Sequence, residues 1–600
     1  MKGRRVQFLL AGALALTASA AAIAWWPHPP PPPEVTGQAP AAAAATHIHG
    51  PTGTSVTWTA TIFLSGVWVD ADSATIDIGQ GPMPASRTQR WFTAQCKLTE
   101  ARPAKDSACP ARSLQVTHPD GARVAPVYSG TRIWTENLDD QTLELMHAYG
   151  VGPSAPSPDP GQLRAGEVLL IARGRKIDTR ASVLALGPEG GADTITKHIP
   201  SLRADARLPI GTSVLPLVSV DSVPLVLQRD GWRESTVPLT ETALALRFGW
   251  ATDLEDTDGN GTLQPRDLFP GLKQADVQTP GTDSLVRSVL GLALSQDQPW
   301  VSPIPDAAPA LVLLTADQDY APAAAVLAQS KAAEQAGLTV LLTDPTQGQK
   351  PDVNFPGEDP ELLDADTVAT LASRGHGVGI HPFVGTTPQE VSQAVAGHFQ
   401  RTLGARPRVI RNHHVAWTRE TPAAQESAGL TLGLDYIAQA SAGSDLGFMG
   451  GTGVPMKYPE TGVFHLPTQL DDHVLLPARF GYRQYNVAQL IARTEAVLDT
   501  AIQYNSVVVV NHHPIWWIHT DGKWQQGLLE AAAARKIPVW GAARYVRYLQ
   551  GVRNTVISRT PAGEWQVLAP ETGATVHYQG NIYSISRGSR LLRTPGESGR

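Results

Sequence analysis

Hydrophobic positions along the chain follow two rhythms, and the change between them falls near residue 300. In the first region Val56, Trp58, Ala60 and Ile62 alternate with Thr57, Thr59 and Thr61, the period of two expected of a half-buried strand. Short apolar runs recur at Val168–Ala172, Ser182–Leu186, Val214–Val220 and Val223–Leu227, separated by Gly, Pro, Asp and Asn. This punctuation predicts an N-terminal all-β, sandwich-like region over 47–250. Its tryptophans, Trp58, Trp68, Trp91 and Trp134, read first as core residues and alternatively as sugar-stacking surfaces. No catalytic constellation accompanies them.

From Trp300 the rhythm becomes that of alternating buried strands and amphipathic helices. The apolar run Leu311–Leu314 is followed by a helical stretch (Ala321 to Ala336) that Gly337 stops, then by the strand Thr339–Leu342. The alternation continues with a helix near Asp364–Ser373, a strand at Val378–His381, a helix near Pro388–Leu403 and a strand at Arg408–Arg411. Val487, Leu490, Ile491, Val497, Leu498 and Ile502 then share one helical face, Val507–Val510 is a buried strand, and a helix follows from Gln525. Repeated β–α units imply a parallel sheet or barrel, with its site at the C-terminal ends of the strands. The predicted architecture is therefore multidomain: the all-β region, an α/β region forming a parallel sheet or barrel over 300–552, and a small β appendage over 553–600. A length of 600 residues accommodates about three or four domains at roughly 150 residues each.

The two ends of the first region change where this chain is placed. Lys2, Arg4 and Arg5 precede an uncharged apolar run from Val6 to Trp26, the layout of a signal peptide or, if uncleaved, a membrane anchor over 1–26. Trp25 and Trp26 stand where an interfacial aromatic belt would be, and Ala18-Ser19-Ala20 suits a signal peptidase. Both readings place the rest of the chain outside the cytoplasm, secreted, periplasmic or tethered to the membrane. A Pro- and Ala-rich linker over 27–46 reads as a semi-rigid spacer. The net charge of -7, without long basic runs, argues against nucleic acid as a partner. The chain has 2 cysteines, Cys96 and Cys109, which in an oxidising compartment predict one disulfide, worth about 3 kcal/mol in the chain-entropy account.

Between the two regions, over 251–299, the sequence Asp256-Thr-Asp258-Gly-Asn260-Gly261-Thr262-Leu-Gln264-Pro-Arg-Asp267 has the spacing of a calcium loop. Oxygen donors fall at positions 1, 3 and 5, a glycine at 6, a backbone carbonyl at 7 (Thr262) and an acid at 12. Asp267 is shorter than the usual glutamate and Pro265 interrupts the expected exit helix, so a solvated Asp/Gly-rich turn is the alternative.

Polar residues gather where the predicted strands of the second region end. The first gives Thr315-Ala-Asp317-Gln318-Asp319, the third Gly375-His376-Gly-Val-Gly-Ile-His381, the fourth Arg411-Asn412-His413-His414. Later strands give Phe464-His-Leu-Pro467 followed by Asp471-Asp472, and Asn511-His512-His513-Pro514. A lone histidine at a strand end is ordinarily structural. Acids and imidazoles at one strand end after another are not something a core requires.

In order and spacing these segments resemble the motifs of the polysaccharide deacetylase family (the NodB-homology domain, carbohydrate esterase family four), over about 300–552. Thr315-Ala-Asp317-Gln318-Asp319 is similar to the family's Thr-Phe-Asp-Asp-Gly motif, and Gly375 to His381 to its Gly-His-Glu-Ile-Gly-x-His strand. Two departures stand out. Gln318 separates the two acids, so either Asp319 takes the metal-binding role from a shifted position or Gln318 ligates weakly. Gly385 occupies the position of the second metal histidine, for which His413 or His414 is the available substitute.

The resemblance implies that the α/β region is a distorted (β/α) barrel of deacetylase type and that the chain is a metal-dependent hydrolase acting on an acetylated polysaccharide. Asp319, His381 and His413 or His414 would hold a divalent transition metal, zinc by its N/O donors. Asp317 would be the general base, His513 or His512 the acid, Asp472 (or Asp471) its charge partner, and Arg411 the residue orienting Asp317. Trp417, Trp516 and Trp517 follow these motifs and are candidates for stacking on sugar or for core burial. Rival readings are a glycoside hydrolase or lyase on a related barrel, and an inactive deacetylase-like module that binds glycan.

Overall fold

The computed structural model describes residues 298–319, 321–343, 363–382, 388–401, 406–413, 420–435, 452–458, 461–472, 485–559, 565–570 and 572–592, the helix Gly281–Leu294, and shorter segments between 47 and 244. The signal or anchor segment, the linker, the calcium loop (Asp256, Asp258, Asn260, Thr262, Asp267), Cys109, Gly385, His414 and Trp417 lie outside the described residues. Among the described residues no helix is long and apolar enough to cross a membrane.

Among the described residues the first region contains two large sheets and a two-stranded one, Ser219–Val220 with Val223–Pro224. Strands between His47 and Val124 pair antiparallel in a 7-stranded sheet, with Cys96 on the strand Trp91–Leu98. The second sheet departs from the expected sandwich. Ile133–Glu136, Val168–Ile171, Ser182–Ala185 and Trp232–Ser235 pair in parallel, and the helix Asp140–Ala148 follows the first of them. The reason is legible in Val168–Ile171, an unbroken apolar run buried at every position, as a strand covered on both faces requires. The tyrosine that ends the helix, Tyr149, donates from its hydroxyl to buried Asp283 at 2.6 Å.

The barrel follows. Its elements are β1 (Leu311–Asp317), α1 (Ala323–Ala332), β2 (Thr339–Thr343), α2 (Ala365–Ser373), β3 (Gly377–His381), α3 (Pro388–Arg401), β4 (Val409–Ile410), α4 (Thr421–Ser427) and β5 (Leu432–Gly433). Then come β6 (Met456–Lys457), β7 (Phe464–His465), β8 (Leu470–Asp471), α5 (Val487–Tyr504), β9 (Val507–Asn511), α6 (Pro514–His519), α7 (Lys523–Ala534), β10 (Val539–Gly541) and α8 (Ala542–Asn554). The sheet runs β6-β7-β5-β4-β3-β2-β1-β9-β8, with β10 against β1, and every pairing is parallel except β6 with β7. β7 lies near one end of this order and β8 at the other, yet the chain passes from His465 to Leu470 in five steps, about 17 Å fully extended. The sheet must therefore curl until its two edges stand within that distance of each other.

Strand parity divides the core into two layers. Val312, Leu314, Val340, Leu342, Val508 and Val510 face the helices, packed with Trp524, Leu528 and Leu498. Leu311, Leu313, Leu341, Val409, Leu432, Val507 and Val509 face inward, against Tyr545, Val546 and Leu549 of α8. The glycines of the third strand serve this close interior. A Cβ on Gly379 would stand 2.7 Å from the Val409 carbonyl oxygen and 2.5 Å from Leu341, and one on Gly377 only 2.3 Å from Ala543. Helix starts follow local chemistry: Asp364 caps α2 by accepting from Thr367 N, and Asn486 with Gln489 forms a capping box on α5.

The appendage contributes β11 (Val556–Arg559), β12 (Trp565–Ala569), β13 (Ala574–Tyr578), β14 (Asn581–Ile585) and β15 (Gly588–Leu592). Its β13 also takes Trp300–Ser302 as an antiparallel neighbour, so the segment entering the barrel is stitched to the segment leaving it.

Candidate active site

The inward parity of the strands carries on past their ends, and it selects the site. After Leu311 and Leu313 the same face presents Thr315 and Asp317; after Val409 it presents Arg411; after Gly379, His381; after Val507 and Val509, Asn511. All of these side chains are buried. Arg411 is fully enclosed, and its NH1 donates to Asp317 Oδ1 at 2.8 Å while NH2 donates to Thr315 Oγ1 at 2.9 Å. Asn511 Nδ2 donates to the other carboxylate oxygen of Asp317, Oδ2, at 2.8 Å, and to Asp471 Oδ2 at 3.1 Å. Both oxygens of Asp317 are thus fixed in space by donors that cannot themselves take a proton from it.

Gln318 does not ligate. It lies on the outward face, fully buried, where Oε1 accepts from Thr343 N at 3.2 Å and Nε2 donates to the Ala321 carbonyl at 3.2 Å. The extra residue between the acids is absorbed one step later, where Asp319 takes a left-handed backbone (φ 44) that a short polar side chain tolerates. The turn brings the Asp319 carboxylate back over the mouth. There His381 Nε2 stands 3.0 Å and His413 Nε2 3.9 Å from its Oδ1, and His513 Nε2 3.2 Å from its Oδ2.

The protonation of His381 follows from its partners. Nδ1 lies 2.7 Å from the Arg411 carbonyl oxygen, which only accepts, so Nδ1 carries a proton. Nε2 makes no hydrogen bond and in the neutral ring turns its lone pair towards a carboxylate. Two acceptors held face to face require a cation between them or a proton on the ring. Burial opposes charging His381, but the Asp317 and Asp319 carboxylates outweigh it and raise its pKa. Burial likewise pushes Asp319 up, and the His381, His413 and His513 imidazoles outweigh it, holding the carboxyl well below its usual range. Asp319, His381 and His413 each offer a ligand atom within 4.8 Å of the others, a two-nitrogen, one-oxygen set of the kind zinc favours. These residues fit a divalent transition ion.

The two histidines after β9 separate cleanly. His513 donates from Nδ1 to Asp472 Oδ1 at 2.6 Å, and its backbone N–H donates to Asp472 Oδ2 at 2.7 Å, leaving Nε2 over the mouth 4.0 Å from Asp317 Oδ2. Burial alone would lower its pKa; the charge of Asp472 raises it well above the ordinary value. His512, the alternative acid, is turned away from the mouth. It shares the outward parity of Val508 and Val510, packs edge-on to Trp524 at 4.6 Å, and neither ring nitrogen has a hydrogen-bond partner. Burial, with the neighbouring His513, lowers its pKa to about 3. Asp472 rather than Asp471 is the partner of His513.

Among the tryptophans, Trp516 and Trp517 of α6 are half-buried, Trp516 beside His519 and Trp517 against Gly522. Two contributors went unforeseen. Asn511 was visible at a strand end but had no role until its bridge to Asp317 appeared. Asp435 follows β5, whose two residues are too short to read as a strand; it accepts from Asn412 N at 2.5 Å and from Gln425 Nε2 at 2.6 Å, and burial raises its pKa to about 6.

With this geometry in hand, solved structures that match the chain can be compared. The likeness is to polysaccharide deacetylases. A Mycobacterium smegmatis protein assigned as a polysaccharide deacetylase matches with a TM-score of 0.32 and 15% identity over 42% of this chain and 93% of its own. The chitin deacetylase of Colletotrichum lindemuthianum matches at 0.26 and 14% over 40% of this chain and 89% of its own. The family 4 carbohydrate esterase of Streptomyces lividans matches at 0.25 and 11% over 39% and 92%. No protein-family profile matches the sequence, and no curated protein matches it. The chemistry of the site is read from its own atoms.

Proposed function

We propose that the chain is an extracytoplasmic, metal-dependent carbohydrate deacylase that hydrolyses acyl groups, acetyl foremost, from a cell-surface or extracellular polysaccharide. The observation that carries this reading is the buried His381 Nε2, without a hydrogen bond and 3.0 Å from the Asp319 carboxylate. That pair, with His413, is a seat for a cation beside an acid whose two oxygens are already oriented.

Asp319, His381 and His413 would hold the ion, zinc by its donor set; when bound, such an ion polarises an acyl oxygen and makes a neighbouring water a stronger acid. Asp317 then accepts the proton of the attacking water. Arg411 and Asn511 keep its carboxylate from rotating, so its free lone pairs point to the mouth rather than to bonds already made. His513, with Nε2 4.0 Å from Asp317 Oδ2 and 3.2 Å from Asp319 Oδ2, gives its Nε2 proton to the departing amine nitrogen or alcohol oxygen. Asp472 holds the imidazolium that this role needs. Water and the acyl sugar thereby become a carboxylic acid and a free amine or hydroxyl. Half-buried Trp516, a few residues beyond His513, offers a face for a sugar ring. The basic patch and apolar run at the N-terminus support the extracytoplasmic setting.

The test is acetate release from a panel of N- and O-acetylated glycans, before and after chelation and with metal restored. The expected result is release that chelation abolishes and one divalent ion restores. Glycan cleavage insensitive to chelation would put a glycoside hydrolase in its place, and glycan binding with no acetate release would leave an inactive module.

A further inference from the structure

A second concave site lies at the opposite end of the barrel. It has a volume of about 410 Å³, within the range of small-ligand pockets, and is shared by the entry to the barrel, α8 and the β13–β14 hairpin. Pro305 and Asp306, at its edge, precede β1, whereas Asp317 ends that strand. Trp540, also in its lining, pairs in register with Leu313, four steps or about 13 Å short of Asp317 at strand rise. Neither Asp317 nor His513 lines the cleft.

The lining is strongly unbalanced in charge. Arg544, Arg547 and Arg587 face the cleft, and Asp306 is the carboxylate among its lining residues. Among the described residues neither Arg544 nor Arg547 forms an ion pair, and both are exposed. The chain as a whole carries a net charge of -7, so this concentration of guanidinium groups runs against the overall balance. Arg544 is held in place: its guanidinium lies over the Trp540 ring, 3.6 Å from the centroid. A planar cation stacked in this way keeps its N–H edge free for a planar or tetrahedral oxyanion. Hydroxyls of Ser584 and Thr575 supply neutral partners at the same wall.

The backbone beside the arginines is also unusual. Asp306 and Ala307, neither of them glycine, are both left-handed with φ 56, and Ala307 N donates to Thr575 Oγ1 at 3.3 Å. Consecutive left-handed residues of this kind are costly and concentrate at ligand sites. Nothing in the chemistry of the barrel mouth uses them.

The geometry points to a separate anion site here, one that takes a small ligand bearing a carboxylate or a phosphate, such as an acidic sugar. The site is independent of the deacylase reading, since it shares no residue with the mouth. It gives the molecule a second means of recognising a negatively charged ligand without loading more cations around the metal seat.

The experiment is calorimetric titration of the full, metal-loaded chain with inorganic phosphate, glucose 6-phosphate, glucuronate and glucose. An anionic probe should bind at about one per chain, glucose should not, and added salt should weaken the binding. Binding of phosphate and glucose 6-phosphate alone would identify a phosphate ligand, and binding of glucuronate a carboxylate one. Arg547→Gln and Arg544→Gln should each weaken the bound anion about tenfold or more, with melting temperature and acetate release unchanged. Because Arg544 packs on Trp540, Arg547→Gln decides the matter if Arg544→Gln lowers the melting temperature. Failure of every anionic probe to bind, or affinities that both variants leave unchanged, would overturn the proposal.

Discussion

At the floor of the barrel His376 commits both ring nitrogens to backbone: Nδ1 accepts from Leu338 N at 3.1 Å and Nε2 donates to the Ser330 carbonyl at 2.7 Å. At the mouth, at the far end of the adjoining strand, His381 commits only Nδ1 and holds Nε2 against Asp319. The same residue type thus closes the structure at one end and leaves a valence open at the other. His512 and His513 repeat the contrast within one step of sequence, one ring shut against Trp524 and the other tied to Asp472 over the mouth. What distinguishes His381 is a ring nitrogen without a hydrogen bond that is turned to the mouth, whereas the unbonded nitrogens of His512 are packed away from it.

The contrast breaks most visibly at Asp317. Asp317→Asn keeps the side chain's shape and one of its two accepting oxygens but cannot accept a proton, and should lower kcat for acetate release by about 10²- to 10⁴-fold with bound metal unchanged. Steady-state kinetics with elemental analysis checks both halves. His513→Gln should come next, about 10²-fold lower in kcat, and Asp472→Asn should shift the alkaline limb of the pH–rate profile to lower pH, because Asp472 raises the pKa of His513. At the floor the expected outcome inverts. His376→Phe should leave kcat intact and cost about 1–3 kcal/mol of stability in denaturant unfolding, since the Leu338 N–H and the Ser330 carbonyl lose their partner.

The smallest effect is on pH dependence of folding. Burial depresses His512 to about 3 and His577 to about 4, from 6.5 in both cases. A depressed folded-state pKa means that the unfolded chain binds the extra protons. The stability linked to these two groups is complete above pH 6.5 and is lost as pH falls towards 4 and then 3. His512→Phe should flatten that decline in melting temperature between pH 6.5 and 4 without raising it at neutral pH by a comparable amount.

Much of the barrel was legible before the structure. Leu311–Leu314, Thr339–Leu342 and Val507–Val510 are long apolar runs that only a covered strand explains, and they begin the strands observed. The site was legible as a set of strand ends. Which member of each pair enters it was not, although strand parity contained the answer: Asp317 and Asp319 follow inward Leu311 and Leu313, and Gln318 follows outward Val312 and Leu314. Continuing the count past Val510 likewise sends His512 outward. Parity is read only once the inner face is known, and an unbroken apolar run hides which face that is. Two further losses have other causes. Asp435 hangs from a two-residue strand with no pattern to detect, and the parallel sheet around Val168–Ile171 is too short to separate from an antiparallel one by periodicity.

The chemistry proposed at the mouth turns on Asp319, His381 and His413 binding one ion together. The measurement to make is the divalent transition metal retained per chain after extensive dialysis, in the wild type and in His381→Ala. Close to one zinc-class ion per folded wild-type chain is expected, and almost none in a variant that still melts cooperatively. A folded wild type that retains none when supplied with metal, or a variant that retains as much as the wild type, would contradict it.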